Sequence, residues 1–184
     1  FIRCEKIIGF ISSRRNEIEN IYNLISKNSN KYVVHGDPKI NNILFDINSE
    51  MAISLIDLDT VSSGYLQFDI GDSLRSLCNK AGEDSTNVRD VSFDLRFFEQ
   101  FLVAYTKSSC MSLSDIKLQL IPDSIKLLSF ELGIRFFVDY LQGNKYFKIT
   151  YDSQNLVRAE IQFALLLDIE SKWNKILKIT NSLL

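Results

Sequence analysis

The chain has 184 residues, of which 46% are hydrophobic and 24% are charged, and its formal net charge is −2. This composition predicts a folded chain with its own core and argues against disorder. The balance of charges disfavours nucleic acid as a partner, because binding to a phosphate backbone needs clustered Lys and Arg. No apolar run reaches the length of a membrane span, so no membrane partner is predicted.

The cysteines bear on the cellular compartment. Cys4, Cys78 and Cys110 are odd in number and widely spaced, without a Cys-x-x-Cys pair, and the chain has a single His. This pattern predicts reduced, partly buried thiols and therefore a cytoplasmic protein. The chain begins at Phe1 rather than Met, which suggests a piece of a longer protein.

The first predicted element is helical. Apolar residues recur at helical intervals in residues 1–28, with charged residues on the opposite side of the pattern. This arrangement predicts one or two amphipathic helices that pack against a core. The run Asn28-Ser29-Asn30 predicts the end of this element.

A polar loop then lies between two apolar segments, which predicts an active-site loop held between two buried segments. Within residues 33–45, Asp37 and Asn42 are five positions apart, as in the kinase catalytic loop His-x-Asp-x-x-x-x-Asn. Asp37 is the candidate base that accepts the proton of an attacking hydroxyl. Asn42 offers an amide oxygen to Mg²⁺. Lys39 can bring an ammonium group to the transferring phosphoryl group.

Two short strands are predicted at residues 42–45 and 51–56, because the residues between them are polar enough to turn the chain. Such a hairpin returns Asp57 to the side of Asn42, so residues 53–60 form the predicted metal-binding segment. Asp57 would supply a carboxylate ligand. Asp59 is either a second ligand or a carboxylate satisfied by nearby backbone N–H groups. Although each residue alone could cap a turn, Asp37, Asn42 and Asp57 at this spacing favour phosphoryl transfer.

These motifs resemble those of a known family. His35-Gly36-Asp37 through Asn42, followed by Ile56-Asp57, is similar to the aminoglycoside phosphotransferase family, which includes choline, homoserine and sugar kinases. Further similarity to N-acetylhexosamine 1-kinases lies in residues 39–46, 56–61, 68–75, 131–141 and 155–159. The resemblance extends over most of the chain from about Tyr32. It is least informative between residues 79 and 121.

The resemblance implies a mainly α chain with a small β-hairpin, equivalent to the C-terminal lobe of the protein-kinase-like fold (α+β). The N-terminal lobe is expected to be absent, since the seven glycines form no Gly-x-Gly-x-x-Gly loop. The resemblance further implies ATP as the phosphoryl donor, Mg²⁺ as the cofactor, and an alcohol as the acceptor, in particular an amino sugar. The fragment alone is expected to be inactive.

Alternative functions are compatible with the sequence. A helical binding module without catalysis, or a kinase of choline, homoserine or an aminoglycoside, would fit the same motifs. A metal-dependent phosphoesterase is a weaker interpretation, because its dinuclear sites usually draw on more than one His.

The resemblance also implies roles for residues outside the central motifs. Asp69 is expected to brace the catalytic loop through hydrogen bonds, and His35 to support the loop rather than act chemically. The possible substrate contacts are Asp72, Arg75, Arg135 and Tyr140. Ion pairs within a helical core would explain Arg135 and Arg158 equally well. Aromatic side chains that could stack on a sugar ring, although core packing is the commoner role, are Tyr65, Phe68, Tyr140 and Tyr146.

The rest of the chain, residues 70–184, is predicted to be helical. Helices are expected from about residue 70, over residues 92–107, from Pro122 onward and over residues 155–177. Loops are expected at residues 60–69, 80–90 and 144–151. Since no repeat or linker interrupts this pattern, residues 1–184 are predicted to form a single domain.

Overall fold

The chain is mainly helical and has two small antiparallel sheets, which confirms the predicted mainly α class. The computed structural model describes residues 2–184, so Phe1, where the first predicted helix starts, lies outside the described residues. The helices are α1 (Ile2–Asn28), α2 (Leu66–Cys78), α3 (Leu95–Ser108), α4 (Leu113–Ile116), α5 (Ile121–Leu141), α6 (Gln154–Ser171) and α7 (Trp173–Asn181). The strands are β1 (Lys31–Val34), β2 (Ile43–Phe45), β3 (Ala52–Leu55) and β4 (Ser62–Tyr65).

The first helix is continuous and ends at Asn28, as predicted. Its buried residues are Ile7, Ile18, Ile21 and Ile25, which recur at helical spacing on one face. On the surface, α1 is tied to α6 by ion pairs from Arg3 to Glu160 at 2.5 Å and from Arg14 to Glu170 at 2.9 Å. Helix α1 therefore serves as a packing element for the helices that follow.

The predicted hairpin is present, with Ile43 paired to Leu55 across β2 and β3. A second pair was not predicted: β1 and β4 are antiparallel, with Val34 opposite Ser62 and Lys31 opposite Tyr65. The prediction of an irregular loop over residues 60–69 is therefore wrong. Residues 62–65 form a strand, and α2 begins directly after it.

The segments that flank the polar loop are not both buried, which corrects the prediction. Val34 is buried, but Val33 is 82% exposed, and every residue of β3 is exposed. Exposed apolar side chains of the hairpin region include Leu44, Phe45, Ile47, Met51 and Ile53. An apolar run in the sequence predicts a buried strand, whereas here neither face of β3 is covered by the described residues.

Helices α5 and α6 contribute to both hydrophobic clusters. The first cluster joins α1 to the two helices through residues such as Ile25, Phe130 and Phe163. The second joins α2, α3 and α7 to the same two helices through residues such as Leu74 and Leu165. Pro122 lies in the first turn of α5, as predicted, where its missing N–H has no cost.

The helical remainder differs from the prediction in three places. The predicted helix over residues 155–177 is two helices, because Lys172 adopts φ −99° and ψ 6° between α6 and α7. The short helix α4 was not predicted. In the predicted aromatic stripe, Phe98 and Leu102 are buried core residues, whereas Phe97 is exposed.

Close packing between α5 and α6 supports a matched pair of substitutions. A Cβ on Gly133 would lie 2.6 Å from the Phe163 ring, whereas a Cβ on Gly9 of α1 would meet no atom within 4 Å. We expect Gly133→Ala to be destabilising, because overpacking costs about 1–3 kcal/mol and exceeds the helix-propensity gain of at most about 1 kcal/mol. Gly9→Ala should stabilise the protein slightly. Urea unfolding of both variants measures the difference, and a stabilised Gly133→Ala would contradict this packing.

The structure also bears on the predictions for membrane spans and cysteines. Within residues 2–184, no helix is both long enough and apolar enough to cross a membrane. The three cysteines are free thiols: Cys78 is buried, Cys4 is half-buried and Cys110 is exposed. Burial raises the pKa of the Cys78 thiol, so this side chain behaves as a small apolar core residue.

Candidate active site

The loop from His35 to Asn42 is held against α2 by a carboxylate. Asp69, in the first turn of α2, accepts hydrogen bonds from the backbone N–H of His35 at 2.6 Å and of Gly36 at 3.0 Å. A second contact from α2 is the Ser73 hydroxyl, which donates to the Pro38 carbonyl at 2.9 Å. Asp69 thus lies where the family resemblance implies a residue that braces the loop.

The His35 ring joins the two halves of the site. Its Nδ1 accepts from the Asp37 N–H at 3.2 Å, and its Nε2 lies 3.0 Å from the Ile56 carbonyl oxygen. Since Nδ1 is an acceptor, this pattern assigns the ring proton to Nε2, which then donates to Ile56. His35 thus orients the backbone on both sides of the site, in keeping with a supporting role.

Gly36 permits a close approach that other residues would prevent. Its φ is +87°, and a Cβ would lie 2.9 Å from the Thr60 carbonyl oxygen. The Thr60 hydroxyl in turn donates to the His35 carbonyl at 2.7 Å. Because glycine alone adopts such a backbone conformation without strain, the loop and the residues after Asp57 can touch here.

Asp37, Lys39 and Asn42 form one hydrogen-bonded group. The Asn42 amide donates to the Asp37 backbone carbonyl at 2.7 Å and to its Oδ2 at 3.1 Å, so its amide oxygen faces away from Asp37. The Lys39 ammonium donates to the same Oδ2 at 2.7 Å. Burial acts to lower the pKa of Lys39, but the hydrogen bond and charge of Asp37 outweigh it, so the pKa is raised. Lys39 therefore stays charged beside the candidate base.

Asp57 lies at the end of the hairpin, next to this group. The N–H of its neighbour Ile56 donates to the Asn42 carbonyl at 2.9 Å, which brings the two backbone segments together. Asp57 itself has φ 65° and ψ 54°, a left-handed conformation with a cost of about 1 kcal/mol for a residue other than glycine. Strained backbone of this kind is concentrated at functional sites, which favours a functional role for the exposed Asp57 carboxylate.

The loop faces a cleft of about 1290 Å³. Of the predicted site residues, those that line this cleft are Asp37, Lys39, Asp57, Asp59, Asp72, Arg75 and Arg135. Asn42 is buried and reaches the site through its hydrogen bonds to Asp37. Tyr140 does not belong to the described lining; it is half-buried and packs against the first hydrophobic cluster. This position argues against the predicted substrate contact by Tyr140.

Two comparisons with known proteins identify the family of the chain and a structural relative. A sequence model of the phosphotransferase enzyme family matches residues 12–107, a segment that contains the whole loop, the hairpin and α2. The chain belongs to the phosphotransferase enzyme family. Its structure is similar to that of an ethanolamine kinase from Plasmodium vivax, with a TM-score of 0.59 and 18% sequence identity over 90% of this chain. The match covers 43% of that kinase, so this chain spans less than half of the length of its structural relative.

Two side chains of the site could hold a metal ion. Across residues 2–184, no group of three or more His, Cys, Asp or Glu residues is arranged to hold a metal ion. Asn42 and Asp57 offer an amide oxygen and a carboxylate, which are hard oxygen donors of the kind that Mg²⁺ prefers. Since Mg²⁺ is usually bound by one or two protein groups together with substrate phosphates, this small donor set fits the ion.

An ion cluster lies in the floor of the cleft, with Arg75 and Asp72 buried and Glu83 half-buried. The three guanidinium nitrogens of Arg75 contact carboxylate oxygens, two of them Asp72 Oδ1 at 2.8 Å and the third Glu83 Oε1 at 2.6 Å. Arg75 is only 2% exposed, which favours a supporting role over the direct substrate contact suggested by the sequence. Burial raises the pKa of Asp72, with Arg75 acting against that rise and the charges of Asp37 and Glu83 adding to it.

Arg158 and Arg135, the other two arginines considered from the sequence, also contact neighbouring side chains. Arg158 forms an ion pair with Asp84 at 2.6 Å and donates to the Lys148 carbonyl at 3.0 Å, so it belongs to the cleft wall. Arg135 is exposed, contrary to a position in a core ion pair, and its Cζ lies 5.5 Å from the centre of the Phe147 ring.

The sequence interpretation missed several residues of the site. Thr60 and Ser73 bind the catalytic loop through hydroxyl groups, which no spacing rule would single out. Lining residues of the cleft that were not predicted include Glu83, Asp84, Glu131, Phe147 and Lys148. These come from segments distant in sequence: Glu131 lies in the middle of α5, the other four lie in loops, and no spacing rule singles them out.

Proposed function

We propose that this chain is the catalytic C-terminal lobe of an ATP- and Mg²⁺-dependent kinase that phosphorylates a hydroxyl group of a small molecule. The observation that carries the proposal is the hydrogen-bonded group of Asp37, Lys39 and Asn42 in a loop tied to Asp69 and, through His35, to Ile56 next to Asp57. Membership of the phosphotransferase enzyme family supports it.

Each residue has a role in this mechanism. Asp37 accepts the proton of the acceptor hydroxyl as its oxygen attacks the terminal phosphorus of ATP, and ADP leaves. Lys39 counters negative charge on the transferring group, which its lasting positive charge permits. Asn42 and Asp57 would hold Mg²⁺, which neutralises charge on the triphosphate oxygens. Asp69 and His35 keep the loop rigid, because loss of position alone is costly in phosphoryl transfer.

The exposed apolar side chains of the hairpin support the proposal that another lobe packs against it. Ile47 is 93% exposed and Ile53 is 64% exposed, beside Phe45 and Met51. Contiguous apolar surface of this kind marks an interaction site. We propose that this surface packs against an N-terminal lobe that completes the nucleotide site, so residues 1–184 form one domain of a larger cytoplasmic enzyme.

For the acceptor, we propose an N-acetylhexosamine, phosphorylated at its anomeric hydroxyl. The aromatic rings of the cleft already face guanidinium groups: Arg135 lies 5.5 Å from the Phe147 centroid and 6.0 Å from that of Tyr146, and Arg158 lies 5.4 Å from Phe136. A cationic acceptor such as choline or ethanolamine binds through free aromatic faces and carboxylates. Because positive groups lie over these rings, and the lining carboxylates Glu83 and Asp84 already pair with arginines, a neutral polyol with hydrogen-bonding hydroxyls is favoured.

An acceptor screen tests this proposal. The full-length protein is incubated with Mg-ATP and, separately, N-acetylglucosamine, N-acetylgalactosamine, choline, ethanolamine, homoserine or an aminoglycoside, while ADP release and the phosphorus NMR spectrum are recorded. We expect a sugar 1-phosphate as the product. Preference for a cationic acceptor would refute the sugar assignment, and no transfer to any acceptor would favour a binding module without catalysis.

A further inference from the structure

One buried carboxylate, which binds a loop that forms part of the cleft wall, takes no part in the mechanism above. Asp139 is 3% exposed and lies near the C-terminal end of α5. Both burial and the negative end of a helix disfavour a carboxylate at this position. Such a group persists only where donors compensate its charge.

The compensating donors come from one loop and from α6. Asp139 Oδ1 accepts from the backbone N–H of Lys145 and of Tyr146, each at 2.9 Å, and Oδ2 accepts from that of Phe147 at 3.0 Å. The Asn155 amide of α6 donates to the same Oδ2 at 2.9 Å. Three consecutive N–H groups thus converge on a single side chain, which is a backbone cradle for an anion.

This cradle fixes the direction of the loop. The chain enters it through two left-handed residues, Gly143 with φ +84° and Asn144 with φ 57°. The following residues, Tyr146, Phe147 and Lys148, line the same cleft as Asp37. The Phe147 ring also packs 4.6 Å from that of Phe136, so the cradle presents this aromatic side chain in one position.

A second contact holds the far end of the loop. Asn155, which binds Asp139, also accepts from Arg158 at 2.9 Å, and Arg158 donates to the Lys148 carbonyl at 3.0 Å. Arg158 is itself held by Asp84. A continuous network therefore runs from Asp139 along the cleft wall.

We propose that Asp139 is a positioning residue for acceptor binding, which holds residues 145–148 as a preformed wall of the cleft. The inference rests on the proposed function, because it concerns the acceptor of that kinase. Asp139 acts through Phe147 and its neighbours rather than by contact with the reacting atoms. Its loss should affect acceptor affinity and leave nucleotide use unchanged, since Asp37, Asn42 and Asp57 belong to a separate segment.

The test is Asp139→Asn in the full-length protein. The substitution keeps the shape but places an NH₂ group among donors, so one side of the cradle is lost. We expect the KM for the acceptor to rise by about tenfold or more, with the KM for ATP within twofold. Hydrogen exchange of the 145–147 amides should become faster. The matched control is Asp152→Asn, because Asp152 is an exposed residue of the same loop whose backbone carbonyl, at 3.0 Å, accepts from Asn144.

A second variant tests the same role independently, in case Asp139→Asn does not fold. A Cβ on Gly143 meets no atom within 4 Å, so Gly143→Ala strains only the left-handed backbone at the loop entrance. It should raise the acceptor KM in the same direction. An active enzyme whose acceptor KM is unchanged in both variants would overturn the positioning role and leave the proposed function intact. A wild-type protein that transfers phosphate to no acceptor would remove both, which is a distinct result.

Discussion

Asp37→Asn in the full-length protein is expected to lower kcat by about 10²–10⁴-fold, the usual contribution of a positioned acid or base. Asn has the same shape, so the backbone contacts that hold the loop persist, including the N–H to His35 Nδ1. An amide cannot accept the proton of the attacking hydroxyl, and it loses the 2.7 Å ion pair with Lys39. Binding of Mg-ATP and acceptor should therefore change little while phosphate transfer becomes much slower.

The measurement is steady-state phosphotransfer together with calorimetric titration of Mg-ATP and acceptor. Asp90→Asn provides the matched control, because Asp90 is exposed and bonds to Asn87 on the surface. The control should retain wild-type kcat. Turnover by Asp37→Asn at the wild-type rate would remove Asp37 as the base, and weakened binding with unchanged kcat would indicate a purely structural role.

The centre of the site could be predicted because its geometry is local. Asp37, Asn42 and Asp57 lie within 21 positions of one another, and the hairpin β2–β3 alone brings the last of them back. The turn of the hairpin could also be predicted, because Asp favours turns of this kind. In the structure, Asp46 accepts from the N–H groups of Asn48 and Ser49 as an Asx turn. Local rules thus sufficed for this part.

The opposite wall of the cleft could not be predicted, because it depends on how distant helices pack. Glu83, Glu131 and Phe147 meet only once α2, α5 and α6 are in place. Tyr140 shows the same limit: its helix was predicted, but one turn decides whether a side chain faces the cleft or the first hydrophobic cluster. Helical periodicity identifies an apolar face without identifying what covers it.

The strand pair β1–β4 was missed for a different reason. Residues 62–65 read Ser-Ser-Gly-Tyr, which has little intrinsic strand preference. The pairing arises from tertiary contacts, since Asp69 and Thr60 hold both ends of this segment against the catalytic loop. The exposed β3 is the converse case, in which an apolar strand has no cover among the described residues.

Of the substitutions named in the text, Arg75→Met is expected to lower the free energy of unfolding most. The variant fills a similar volume but leaves Asp72 and Glu83 without the cation that contacts both at 2.8 and 2.6 Å. Removing one partner of a buried ion cluster typically costs about 3–5 kcal/mol, because a desolvated charge remains. The control is Arg96→Met: the Arg96 side chain is 79% exposed and 3.4 Å from Asp94, so its loss should cost less than about 1 kcal/mol.

Arg75→Met should lose unfolding free energy relative to wild type, and this deficit should depend on pH. The pH dependence identifies the carboxylate that has lost its cation. Burial raises the pKa of Asp72, and Arg75 opposes that rise, so the pKa should rise further in the variant. A carboxyl group with a raised pKa in the folded state favours folding at low pH, and this contribution is lost as pH rises through the folded-state pKa. The deficit relative to wild type should therefore shrink as pH falls from neutral towards about 4, the ordinary pKa of a carboxyl group. Urea unfolding of both proteins across this range measures it. A deficit that grows at lower pH, or equal losses for Arg75→Met and Arg96→Met, would contradict a stabilising pairing of Arg75 with Asp72.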